Sequence, residues 1–285
     1  MTDWKIHIHT MEDVERVRRR LRDFVFGDLQ TEVNEDDCVG MRSTGTLRFH
    51  GPYGMDFAAW HYTRGLNEKV VVYCEGHYGH YTHSLEAIGG FLSNGCDVIA
   101  MSMPLNEPNS LGVWGSDLET HYDLERTPKP IWPFMHPWQV LVEWAAAMYG
   151  WDNLSICGIS GGGWSCALYA ALDPRVQASY PVAGVLPEAL RGQAEQGDFE
   201  EKWPPLYAIA SYMDLFILGA AGRWQVQIFN MHDPNYGGDR ALQYVEVMHG
   251  VLSELGGSFD VWIDESHRDH KCSRWAAARI AGDMG

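Results

Sequence analysis

The sequence predicts an α/β protein with a mostly parallel central sheet and helices on both of its faces. Short apolar runs typical of buried strands, such as residues 69–74 and 97–102, alternate with helical segments along most of the chain. Parallel strands need crossover connections, and the intervening helices supply them. The chain has 285 residues, 46% of them hydrophobic, which is enough for one sizeable core.

We therefore expect a single domain over residues 1–285, with an N-terminal helix over 11–27 and two or three antiparallel strands within 38–63. Further strands are predicted at 69–74, 97–102, 154–157, 176–182, 225–229 and 259–263, and helices at 82–94, 138–149, 161–172, 240–255 and 273–283. Two stretches rich in proline and aromatic residues, 104–137 and 184–222, interrupt the alternation. Long insertions in a compact domain are usually lids or binding loops.

Local signals indicate where several of these helices end. Gly95 and Gly256 follow helical segments and suit the left-handed position that often closes a helix. Pro174 cannot continue the helix over 161–172. Ser273 is suited to cap the last helix, because its hydroxyl can accept a bond from a free backbone N–H group.

The most informative segment contains Gly158-Ile-Ser160-Gly-Gly162, with a β-rich stretch before it and a helix of small residues after it. A tight strand-to-helix turn lifts a serine hydroxyl out of its surroundings, and small neighbours let the backbone make that turn. The helix N-terminus then points to where an oxyanion would form. This order of elements marks Ser160 as a candidate nucleophile, and a glycine-rich loop before a buried helix is the alternative interpretation.

A serine nucleophile needs a general base that titrates near neutral pH, and histidine is the usual choice. Loops that follow parallel strands share one edge of the sheet. Of the 13 histidines, only His267 and His270 follow the last predicted strand. His270 lies just before the final helix, and we favour it over His267 as the base.

The base in turn needs a carboxylate that fixes its tautomer and stabilises the imidazolium. Asp233 comes shortly after the strand predicted at 225–229 and is followed by proline. We favour Asp233, with Asp214, Asp239 and Asp264 as alternatives. An Asp-Pro turn without any chemical role is the other interpretation of this segment.

The strand, the Gly-x-Ser-x-Gly turn and the small-residue helix together resemble the nucleophile elbow of the α/β-hydrolase family. The resemblance spans about residues 45–283, and the order Ser160, Asp233, His270 is that of nucleophile, acid and base in this family. The resemblance implies an α/β-hydrolase fold with lid-like insertions.

The same resemblance implies an oxyanion hole made by two backbone N–H groups. One belongs to Gly161, directly after the nucleophile, and the other to His77 in the segment Glu75-Gly-His-Tyr-Gly. Glu75 departs from the family pattern, since many members have histidine there. This difference leaves Tyr78 as an alternative donor.

We accordingly predict a serine carboxylic-ester hydrolase that needs no cofactor and forms an acyl-enzyme on Ser160. The expected substrate is a carbohydrate or small-molecule ester, because several of the 12 tryptophans lie in or near the insertions. Packing of the lids is the alternative explanation for those tryptophans. Two other functions stay open: a serine peptidase, since the elbow and the Asp-Pro loop also resemble prolyl-oligopeptidase-type catalytic domains, and a non-catalytic binding protein with this fold.

Composition argues against several partners. The net charge is −17, from 21 basic and 38 acidic residues, which disfavours binding to nucleic acid or to an anionic membrane. The sequence has no apolar run of the length that spans a bilayer, no apolar signal region at its start and no Cys-x-x-Cys pair. These observations predict a cytoplasmic protein.

Two further expectations concern metals and assembly. His77, His80 and His83 fall within one short segment and raise the question of a zinc site. Gly76 and Gly79 argue against a helix that would bring the three imidazoles together, so no metal site is predicted. Exposed aromatic residues in the insertions would be candidates for a contact between copies of the chain.

Overall fold

The structure is a computed structural model that describes residues 3–27, 45–65, 67–77, 79–109, 118–191, 197–233 and 236–284. Its strands are β1 Thr46–His50, β2 Asp56–Tyr62, β3 Lys69–Cys74, β4 Cys96–Met101, β5 Leu154–Ile159, β6 Ala178–Val182, β7 Trp224–Asn230 and β8 Ser258–Asp264. Its α-helices are α1 Met11–Val25, α2 Leu85–Ser93, α3 His121–Leu124, α4 Trp132–Tyr149, α5 Gly161–Leu172, α6 Pro204–Tyr207, α7 Tyr212–Ala220, α8 Val245–Leu255 and α9 Arg274–Asp283.

The eight strands form a sheet in the order β1-β2-β4-β3-β5-β6-β7-β8. β2 pairs antiparallel with both β1 and β4, and the other neighbouring pairs are parallel. The mostly parallel sheet predicted from the sequence is thereby confirmed. Every residue of β4 and β5 is buried, which accounts for their nearly continuous apolar sequences.

Several helix ends follow the local signals in the sequence. α1 begins after Thr10, whose side chain forms a capping box with Asp13, and it ends at Val25 within the segment predicted at 11–27. α5 has the predicted bounds Gly161–Leu172. Ser273 caps α9 by accepting a bond from the Ala276 N–H, as expected.

The start of α4 differs from the prediction. The helix expected to begin at residue 138 begins at Trp132, with Pro133 in its first turn and Pro137 inside it. Proline is tolerated in the first turn, because the N–H groups there have no partner within the helix. Pro137 removes one internal hydrogen bond, and burial of Phe134 and Trp138 on the same helix offsets that loss.

The helix predicted at 240–255 is also different at its beginning. Residues 238–244 form a 3₁₀-helix, and the α-helix begins only at Val245. Ala241 and Tyr244 are three residues apart, and both are fully buried. The 3₁₀-helix places residues with this spacing on one side, which explains the tighter winding.

No helix within the described ranges is long and apolar enough to cross a lipid bilayer.

Candidate active site

Ser160 lies in the turn between β5 and α5, with φ of 57° and ψ of −124°. A positive φ is costly for a residue with a Cβ, so this conformation must be held by its surroundings. The Ser160 N–H donates to the carbonyl oxygen of Val182 at 2.9 Å, and the Ser160 carbonyl accepts from the Trp164 N–H at 2.9 Å. The adjoining strand and helix thus fix the strained residue, as expected of a nucleophile elbow.

Glycines make this turn possible because the backbone segments around it touch. A Cβ atom at Gly158 would lie 2.2 Å from the carbonyl oxygen of Gly162, and one at Gly162 would lie 2.3 Å from the carbonyl oxygen of Cys74. A Cβ atom at Gly76 would lie 2.7 Å from Cβ of Ser160. The loop after β3 therefore lies directly against the candidate nucleophile.

Asp233 and His270 form a hydrogen-bonded pair. His270 Nδ1 lies 2.8 Å from Asp233 Oδ2, and the Asp233 side chain is fully buried. The other oxygen, Asp233 Oδ1, accepts a bond of 3.0 Å from the Tyr236 N–H. The Tyr236 ring stacks on the His270 imidazole, with centroids 5.7 Å apart. These contacts place the proton on Nδ1 and leave Nε2 as the nitrogen that can accept one.

The alternative base, His267, lies near a carboxylate but is not hydrogen-bonded to it. His267 Nε2 lies 3.1 Å from Asp264 Oδ2 but without hydrogen-bond geometry. The Asp264 carboxylate instead accepts bonds from the Ser273 hydroxyl at 2.5 Å and the Ser266 N–H at 2.8 Å. Asp264 therefore holds the loop before α9 in place.

The two remaining candidates for the carboxylate, Asp214 and Asp239, belong to the first turns of helices. Asp214 belongs to the capping box of α7 and binds His7 Nδ1 at 2.7 Å. Asp239 lies in the first turn of the 3₁₀-helix at 238–244. Among the described residues, the acid that the structure brings to the His270 imidazole is Asp233.

The candidate residues come together at one edge of the sheet. Ser160, Asp233 and His270 follow β5, β7 and β8, which are parallel and therefore end on the same side. The loop after β3 joins them there. It touches Ser160 through Gly76.

Glu75, the departure from the family pattern, stabilises its own loop. Its carboxylate accepts bonds from the Gly76 N–H at 3.0 Å and from the Ser84 hydroxyl. Burial raises the pKa of Glu75, and these hydrogen bonds and the charges of His83 and His270 offset that effect only in part.

The two residues predicted to supply the oxyanion donors are in contact through the His77 side chain. Gly161 is the first residue of α5, and the His77 ring lies against it: a Cβ atom at Gly161 would be 2.4 Å from His77 Cε1 and 2.6 Å from Met103 Sδ. Position 161 therefore has no room for a side chain. Tyr78, the alternative donor, lies outside the described residues.

His77 also belongs to a buried cluster of charged residues that the sequence analysis did not foresee. His77 Nε2 lies 2.6 Å from Glu200 Oε1, and His121 Nδ1 lies 3.2 Å from Asp198 Oδ2 and 3.4 Å from Glu200 Oε1. Glu200 is fully buried. The residues come from the loop after β3 and from both insertions, and no sequence spacing connects these segments.

The residues of this cluster shift one another's pKa values. Burial favours the neutral form of His77 and His121, but the nearby carboxylates outweigh it and raise both pKa values, that of His121 to about 10. Burial likewise opposes ionisation of Glu200, yet the two imidazoles lower its pKa to about 2.

Two of the tryptophans near the insertions, Trp138 and Trp164, do not form a surface that could bind a sugar. Trp138 and Trp164 are fully buried, and their indole N–H groups donate to the Ser165 hydroxyl at 3.0 Å and the Tyr207 hydroxyl at 2.9 Å. Both pack in the core, on α4 and α5, rather than in a lid. Trp114 lies outside the described residues.

A cavity of about 830 Å³ adjoins the second insertion and is lined by Trp4, Arg191, Glu201 and Tyr212 among others. Neither Ser160 nor His270 lines it. The cavity approaches the candidate site through Glu201, whose Oε1 lies 3.7 Å from His77 Nδ1. The candidate site is therefore defined by the Ser160 turn and the Asp233–His270 pair rather than by this cavity.

Neither the family models nor the curated proteins contain a match to this chain. Solved structures do match. Methylesterase BT1017 aligns with a TM-score of 0.68 and 17% identity over 95% of this chain and 63% of its own, so this chain spans less than two thirds of it. Acetyl xylan esterase 1 from Thermoanaerobacterium sp. JW/SL YS485 aligns with a TM-score of 0.58 and 17% identity over 96% of this chain and 93% of its own.

A third structure, Est1E from Butyrivibrio proteoclasticus, aligns with a TM-score of 0.57 and 14% identity over 84% of this chain and 98% of its own. At such identities the likeness concerns the fold. The chain has the α/β-hydrolase fold that the elbow and the order of strands and helices predicted.

Proposed function

We propose that this protein is a serine hydrolase of carboxylic esters, with Ser160 as nucleophile, His270 as general base and Asp233 as its carboxylate partner. The observation that carries the proposal is the Asp233–His270 hydrogen bond of 2.8 Å, formed at the same sheet edge as the strained Ser160. Two of the solved structures above are named as esterases, which supports an ester rather than a peptide as the substrate.

The reaction proceeds through an acyl-enzyme. The Ser160 hydroxyl oxygen attacks the acyl carbon while His270 Nε2 takes its proton, and the imidazolium then protonates the departing alcohol oxygen. A water molecule next attacks the acyl carbon with His270 again as base. The carboxylic acid leaves, and Ser160 recovers its proton. Asp233 stays ionised throughout and stabilises the imidazolium.

Two backbone N–H groups stabilise the negative charge of each tetrahedral intermediate. We assign these to Gly161 and His77, each worth about 3 kcal/mol in the transition state. The N-terminus of α5 adds its partial positive charge at the same place. The bond from the Gly76 N–H to Glu75 holds the loop that carries His77.

The substrate to test first is a short acyl ester of a carbohydrate or small molecule. One of the named structures is an acetyl xylan esterase and another a methylesterase, so the panel includes p-nitrophenyl acetate, butyrate and octanoate, acetylated xylan, methyl esters and aminoacyl-anilides. We expect hydrolysis of the acetyl esters. Cleavage of anilides without cleavage of any ester would favour the peptidase function instead.

Asp233→Asn is expected to lower kcat for the best ester by about 10⁴-fold, because an amide holds His270 in the wrong tautomer. Steady-state kinetics measure this loss, and a thermal melt confirms that the variant is folded. Asp264→Asn is the matched control. It removes the buried carboxylate that holds the loop carrying His270, at a cost of about 1–3 kcal/mol in stability, but leaves the Asp233–His270 pair in place and should retain hydrolysis. Unchanged activity of Asp233→Asn would exclude Asp233 from the triad.

A further inference from the structure

We propose that His77, His121, Asp198 and Glu200 form a binding site for a divalent transition metal, with Zn²⁺ as the best-suited ion. One ligand atom from each residue lies within 4.8 Å of all the others. The site does not involve Ser160, so metal binding can be tested whether or not the protein is an esterase.

The separations of the ligand atoms suit a tetrahedral ion. Zinc bonds to nitrogen and oxygen of about 2.0–2.1 Å imply ligand separations of about 3.3 Å. His121 Nδ1 lies 3.2 Å from Asp198 Oδ2 and 3.4 Å from Glu200 Oε1. His77 Nε2 lies 3.8 Å and 2.6 Å from the same two oxygens. Small movements of one imidazole would equalise these distances.

The donor set favours zinc over the common hard cations. Two imidazole nitrogens and two carboxylate oxygens are typical zinc ligands, whereas Mg²⁺ and Ca²⁺ prefer oxygen alone. Two of the four residues, His121 and Glu200, are buried, so the site is screened from bulk water.

The tautomer of His121 supports a ligand role. Its Nε2 lies 2.8 Å from the carbonyl oxygen of Pro104, and only a protonated Nε2 can donate there. Nδ1 is therefore the nitrogen that faces Asp198 and Glu200, and it would offer its lone pair to an ion that displaces its proton. Metal-binding histidines are usually oriented in this way, by a bond from the other ring nitrogen to a carbonyl or carboxylate.

Hydrogen bonds do not satisfy all of the buried polar atoms in this cluster. His77 Nε2 and Glu200 Oε1 do have hydrogen-bond geometry. Within the described residues, however, His121 Nδ1 and Glu200 Oε2 are buried without any hydrogen-bond partner. Such atoms are expensive to bury, and a metal ion that displaces the Nδ1 proton would bond to that nitrogen and balance the two carboxylate charges.

The site would connect three parts of the chain that the sequence separates. His77 belongs to the loop after β3, His121 to α3 in the first insertion, and Asp198 and Glu200 to the second insertion. A bound ion would hold both insertions against the loop that bears a proposed oxyanion donor. This consequence rests on the proposed function, whereas metal binding itself does not.

The test begins with the 285-residue chain after removal of metals by a chelator and dialysis. Titration calorimetry with Zn²⁺ alone is expected to give one site per chain. His121→Gln and Asp198→Asn are expected to weaken binding by more than the roughly 10- to 100-fold lost when an outer partner of a ligand is removed. His83→Gln, a histidine of the same region outside the cluster, is the matched control and should bind as the wild type does.

Two further measurements make the result decisive. In thermal melts, Zn²⁺ should raise the Tm of the wild type and of Ser160→Ala equally but leave the Tm of Asp198→Asn unchanged. In visible spectroscopy, Co²⁺ should give the spectrum of a tetrahedral site only in proteins with an intact cluster. Asp198→Asn keeps the size of the side chain, so a folded variant is expected. A stripped wild type that binds no Zn²⁺, or cluster variants that bind as well as the wild type, would overturn the proposal.

Discussion

Replacement of Ser160 by alanine is expected to lower kcat for ester hydrolysis by about 10⁶-fold, the loss typical of removing a triad nucleophile. Alanine keeps the Cβ atom and so retains the backbone environment of the elbow, while the attacking oxygen is gone. Steady-state kinetics on the best ester of the panel measure the effect. Ser93→Ala, an exposed serine at the end of α2, is the control and should leave kcat unchanged.

Ser160→Gly distinguishes the effect of backbone strain on stability from the effect of losing the nucleophile on activity. Glycine adopts the φ of 57° without the cost that a Cβ atom brings, so this variant should unfold at a higher temperature than Ser160→Ala. Both variants should be equally inactive. Substantial hydrolysis by either one would show that another residue is the nucleophile.

His270→Ala is expected to reduce kcat by a similar factor of about 10⁶, because Ser160 then has no group to accept its proton. The comparison with His267→Ala is the informative one. His267 lies beside Asp264 without hydrogen-bond geometry, whereas His270 is bonded to the buried Asp233. His267→Ala should therefore retain most of its activity.

The reverse pattern, with His267→Ala inactive and His270→Ala active, would identify His267 as the base and Asp264 as its carboxylate partner. If both variants lose activity, their thermal melts distinguish a structural role from a catalytic one. A lowered Tm for His267→Ala alone would indicate a structural role for that buried imidazole, and His270 would remain the proposed base.

Local sequence patterns sufficed for the elements that build the elbow. Lys69–Cys74 and the helix Gly161–Leu172 have the predicted bounds because an unbroken apolar run and an Asp-Pro stop are local signals. The pairing of Asp233 with His270 followed from chain order and from the rule that parallel strands end at one edge.

Other features depend on tertiary contacts that no local pattern records. The His77 cluster joins residues from three distant segments, and its fourth member, Glu200, resembles any surface acid in the sequence. The burial of Trp138 and Trp164 could not be predicted, because composition does not reveal which aromatic side chains lie in the core. The early start of α4 at Trp132 was hidden by Pro133 and Pro137, whose cost is offset only in the packed core.

The central claim is that Ser160 is an activated nucleophile, and covalent labelling tests it most directly. The intact mass of the folded wild type is measured after incubation with a fluorophosphonate, beside Ser160→Ala and the control Ser93→Ala. We predict one adduct per chain on the wild type and on Ser93→Ala, and none on Ser160→Ala. An unlabelled wild type, or an adduct that persists in Ser160→Ala, would contradict the account.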